Sequence, residues 1–85
     1  MDKNRKYKAD YNEAFRDEQL KWFEERMDKL PETMQINAAT FSPNLRLTVQ
    51  GLMSTLRRNT PSVTFSGYME TLLQIRDQLE QQGLC

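Results

Sequence analysis

Histidine is absent from this chain and cysteine occurs once, at Cys85. The two shortages exclude much of the side-chain chemistry that operates near neutral pH. Without an imidazole there is no Ser-His-Asp or Cys-His arrangement, and a single thiol supplies neither a zinc cluster nor a disulfide framework. Cys85 has no basic neighbour fixed beside it to favour the reactive thiolate, and nothing in the sequence assigns it a role. Glycine is scarce, with three in the chain, and no phosphate-cradling loop is built from them. Long hydrophobic runs are also missing. No stretch approaches the ~18 apolar residues of a membrane-spanning helix. The basic start Met1-Asp2-Lys3-Asn4-Arg5-Lys6 is not followed by the apolar segment of a signal peptide. These absences predict a cytoplasmic, non-enzymatic protein with no cofactor, no metal, no membrane partner and no small-molecule substrate.

What is present is enough for one small domain of 85 residues. Leu, Ile, Val and Phe together number 18, just above the level at which disorder becomes the default. Their spacing decides the fold class. Leu20, Phe23, Met27 and Leu30 recur at helical intervals, with Phe15 and Trp22 on the flank, and predict a helix over about 12–29. Asp10 followed by Glu13 has the form of a capping box, and a start near Asp17 fits equally well. Asp17 with Lys21, Lys21 with Glu25, and Glu25 with Lys29 lie one turn apart, marking a solvated face. Pro31 drives the residue before it out of the helical region and ends the segment.

Ser42-Pro43 reads as an N-cap followed by proline at the first helical position. Leu45, Val49, Leu52 and Leu56 then form a stripe, widened by Met53, predicting a second helix over 43–58. A third is predicted over 64–82 from Phe65, Tyr68, Leu72, Ile75 and Leu79, with Met69 and Leu73 as a second row. Thr64 or Ser62 is expected to cap it, and Gly83 to take the left-handed position beyond its end. The connection from Pro31 to Phe41 is long for a helix–helix loop. Met34-Gln35-Ile36 alternates within it, too briefly to establish a strand, and the loop is expected to lie across one end of the core. The expectation is an all-α three-helix bundle over residues 10–85, preceded by a flexible basic tail over 1–9.

No constellation of catalytic groups emerges. The paired carboxylates Asp17-Glu18 and Glu24-Glu25 are sequence neighbours, so on a helix they point in different directions. Charge distribution says more. The chain is neutral, with 12 basic and 12 acidic residues. Residues 1–8 hold four bases and one acid; residues 9–32 hold four bases and eight acids. Residues 33–60 contain Arg46, Arg57, Arg58 and no acid, whereas residues 61–85 hold one base and three acids.

The basic second helix therefore draws two expectations. Leu47 lies about 200° from Leu45 on the helical wheel, beside Gly51 and Ser54. A glycine within a helix costs ~1 kcal/mol against alanine, so the Leu47-Gly51-Ser54 patch suggests a close approach by a protein partner or a second copy. The alternative is a nucleic-acid-associated protein. Arg46, Gln50 and Arg57 share a narrow sector, and Arg58 follows; arginine and glutamine are side chains that read base edges, and the basic tail would reach phosphates.

The order Trp22-Phe23, Leu30-Pro31, Ile36, Thr64-Phe65, Tyr68 and Leu72-Leu73 resembles a group of short uncharacterised bacterial proteins of unknown function. They share a W-F…L-P…T-F-x-x-Y-x-x-x-L-L pattern. The resemblance covers about residues 15–80. It implies a compact helical domain, and no activity or site residue is carried over from it.

Overall fold

The computed structural model describes residues 11–58 and 61–84. The predicted tail over 1–9, and Cys85, lie outside the described residues. Helix α1 spans Glu13–Glu25. Its start is set by Asn12, whose side chain accepts a hydrogen bond from the Phe15 N–H at 2.8 Å. The chain leaves helical geometry at Arg26, makes one 3₁₀ turn over Met27–Lys29, and becomes extended at Leu30, as the following proline requires. The helix predicted over 12–29 thus ends as an α-helix at Glu25. The expected lysine pairs do not form. Arg16 pairs with Asp17 at 2.8 Å and Arg26 with Glu25 at 3.5 Å instead.

The long connection corrects the all-α expectation. Strands β1 (Met34–Asn37) and β2 (Thr40–Ser42) form an antiparallel hairpin, so the architecture is three helices plus a small two-stranded sheet. The register pairs Met34 with Ser42, Gln35 with Phe41 and Asn37 with Thr40, with an irregularity between Gln35 and Asn37. Met34 and Ile36 are buried while Gln35 and Asn37 face out, the period-two pattern of a half-buried strand. No glycine marks the turn. The Asn37 side chain closes it instead, accepting from the Ala39 N–H at 2.8 Å. Helix α3 covers the β1 edge through Gln78, whose Nε2 donates to the Ile36 carbonyl at 3.1 Å.

Helix α2 spans Leu45–Arg57, two residues later than the Ser42-Pro43 signal implied. Ser42 is committed to β2, and its hydroxyl pairs with that of Thr48 at 2.8 Å. Asn44 caps the helix by accepting from the Leu47 N–H at 3.2 Å. Helix α3 spans Ser62–Gln81, starting earlier than predicted. Ser62 lies inside its first turn, so neither Ser62 nor Thr64 caps it; Pro61 holds the cap position without a side-chain bond. Gly83 takes the left-handed conformation with φ +97°, and the Leu84 N–H reaches back to the Leu79 carbonyl at 2.9 Å.

The core joins the three helices and strand β1. Leu20 and Phe23 of α1 meet Leu45, Val49, Met53 and Leu56 of α2, Met69, Leu72, Ile75 and Leu79 of α3, and Met34 and Ile36 of β1. The α3 stripe differs from the predicted one. Met69 is fully buried, Phe65 is half-buried and Tyr68 is exposed, because the face turned inward is Met69-Leu72-Ile75-Leu79.

Candidate functional site

With Leu45, Val49, Met53 and Leu56 turned into the core, the opposite side of α2 is left outward. Leu47, Gly51 and Ser54 are all exposed on it, and Leu47 keeps 63% of its surface accessible. Apart from its chain neighbours and the adjacent backbone of α2, no described atom lies within 4 Å of the place a Gly51 Cβ would occupy. The glycine therefore serves no close approach within the described chain. Gly51→Ala is expected to raise stability by up to ~1 kcal/mol, measured by urea unfolding, since it removes a helix-interior glycine without a clash.

At the start of α2 the loop between α1 and β1 comes alongside. The Leu45 N–H donates to the Glu32 carbonyl at 2.8 Å, which fixes this approach. Between them lies a hollow of about 300 Å³ lined by Leu30, Pro31, Glu32, Asn44, Arg46 and Leu47. Arg46 and Glu32 both border it, and neither side chain has an ion-pair partner among the described residues. Residues 33–58 contain no acid, so α2 cannot neutralise Arg46 from within.

The other basic residues of α2 sit apart from Arg46. Arg57 is ion-paired with Glu24 of α1, whereas Arg58 is exposed and its side chain has no ion-pair partner among the described residues. Both border a second, open hollow of about 630 Å³ with Tyr11, Arg16 and Phe65. Arg16 is already engaged there, its guanidinium donating to the Leu56 carbonyl at 3.2 Å and pairing with Asp17. Gln50 is exposed midway along α2. Arg46 and the Arg57–Arg58 pair thus stand at opposite ends of a helix about 20 Å long, with Gln50 between them. Among the described residues no group of three His, Cys, Asp or Glu side chains is arranged to hold a metal ion.

One feature escapes sequence reasoning. Two guanidiniums lie over the ring of Trp22, Arg26 at 4.4 Å and Arg76 at 4.7 Å from its centroid. Gln19 is buried beside it and accepts from Arg76 at 2.8 Å. This cluster ties α1 to α3 and leaves the outer face of α2 uninvolved.

Among the described residues no helix is long and apolar enough to cross a membrane. No curated protein and no solved structure matches the chain. A family model described as a domain of unknown function (DUF6965) matches residues 17–81, from the first turns of α1 to the last residue of α3. The match takes in the hairpin, the hollow and the whole of α2, so the chain belongs to the DUF6965 family.

Proposed function

We propose that this is a non-enzymatic, cytoplasmic protein-interaction module whose outer α2 face receives a protein with apolar and acidic side chains. The observation that carries the proposal is the exposure of Leu47 between the unpaired cation Arg46 and the bulk-free positions Gly51 and Ser54. An exposed leucine alone is ordinary. Here it is joined by a hollow that admits a side chain and by a charge without a local partner. Apolar anchors flanked by polar groups are the pattern of protein interfaces. The nucleic-acid alternative has less support, because Arg57 is already neutralised by Glu24 and the remaining cations are not contiguous.

The test is site-specific photo-crosslinking in cells. A benzophenone amino acid at position 47 is expected to give discrete protein adducts, while the same group at exposed Gln81 on α3 gives none. Equal labelling at the two positions, or none at position 47, sinks the proposal.

A further inference from the structure

We infer that the protein received by this face is a second copy of the same chain, paired about a two-fold axis through the hollow at the start of α2. The inference rests on the reading of α2 as a docking surface and names its occupant. In a two-fold interface the same patch is used twice, so it must be complementary to itself. This patch has that property in shape and in charge. Leu47 projects beside a hollow of about 300 Å³ that it helps to line, so a knob and a hole lie side by side. The two-fold places each Leu47 in the other copy's hollow, against Leu30 and Pro31.

Arg46 and Glu32 border the same hollow, have opposite charge, and are unpaired among the described residues. The same rotation sets Arg46 of each copy against Glu32 of the other, giving two ion pairs around an apolar centre. A different partner has to supply an apolar knob, a receptive hollow, an acid and a base in matching positions. A second copy supplies all four by symmetry. The chain carries no net charge, so no long-range repulsion keeps two copies apart.

The experiment is sedimentation equilibrium on the full chain over a wide concentration range, with circular dichroism confirming that each variant is folded. Wild type is expected to approach twice the chain mass. Arg46→Glu and Glu32→Arg each replace two attractions by two repulsions, and each is expected to raise the dissociation constant about tenfold or more. The double variant Arg46→Glu with Glu32→Arg restores opposite charges across the axis and is expected to return to within about threefold of wild type. Leu47→Glu, which puts a charge into the apolar centre, is expected to remain monomeric. Two outcomes overturn the inference: wild type staying monomeric at every concentration, or the double variant associating no better than the singles. If the position-47 adducts then contain only other proteins, the docking surface stands and self-pairing alone is removed.

Discussion

Replacing Ile36 by alanine is expected to cost about 2–5 kcal/mol of unfolding free energy, comparable to a truncation in the centre of a helix. Ile36 lies in a strand of four residues, yet it is 3% exposed and belongs to the same core cluster as Val49 and Ile75. Gln78 fixes the backbone at this point by donating to the Ile36 carbonyl, which limits how far the site can collapse around a lost side chain. The adjacent Gln35 provides the contrast. Its side chain faces out and donates only to the carbonyls of Asn37 and Thr40, so Gln35→Ala is expected to cost less than about 1 kcal/mol. Urea unfolding followed by far-ultraviolet circular dichroism compares the two. Equal losses would make the hairpin a peripheral flap rather than a layer of the core.

The hairpin also shows where sequence patterns lose their force. The helices were legible because each presents several turns of apolar periodicity, and four or five repeats outweigh a stray residue. The strands are too short for that. Met34-Gln35-Ile36 displays the alternation, but the return strand is three residues with its aromatic, Phe41, facing out. Its turn is Asn37-Ala38-Ala39-Thr40, lacking the glycine that announces most tight hairpins, and the closing bond comes from a side chain. Ser42-Pro43 misled for a related reason. It carries a real capping signal, but Ser42 was taken by strand pairing and by Thr48, so Asn44 assumed the role.

The candidate surface was legible in part. That Leu47, Gly51 and Ser54 lie opposite the core stripe follows from the helical wheel. The absence of acids from residues 33–58 follows from counting. Glu32 did not emerge, because it joins Arg46 only through the backbone bond that draws the loop against the start of α2. Tertiary geometry likewise distinguishes the surroundings of Arg57 from those of Arg46. The two arginines share a wheel sector, yet one pairs with Glu24 and the other has no ion-pair partner among the described residues. The carboxylates of Asp17 and Glu25 pair with their sequence neighbours Arg16 and Arg26 rather than with the α1 lysines one turn away.

Trp22→Ala is expected to be among the most damaging single substitutions, losing about 3–5 kcal/mol, because Trp22 is a buried member of the core cluster. The ring packs edge-on to Phe23, with centroids 4.9 Å apart, and is covered by Arg26 and Arg76. Two cations against one ring repel each other, so the arrangement depends on how each is balanced. Arg26 donates to the Trp22 carbonyl at 3.0 Å and pairs with Glu25; Arg76 pairs with Glu80 at 3.2 Å and holds Gln19. Part of the loss on truncation is therefore electrostatic, and a double-mutant cycle isolates it. Trp22→Leu combined with Arg76→Met keeps apolar bulk at both positions and removes the ring–cation contact. A coupling of about 0.5–2 kcal/mol is expected. The cycle between Arg76 and Glu80, an exposed pair one helical turn apart, is expected to give only ~0.3–0.5 kcal/mol and to shrink in high salt. Trp22 is the sole tryptophan, so its fluorescence follows the α1–α3 contact in each variant that retains it. If Trp22 and Arg76 prove additive, the guanidiniums merely lie over the ring, and the hydrophobic core and the Arg76–Gln19 hydrogen bond hold α1 to α3. If they couple, the cation–ring contact itself helps to lock α1 to α3.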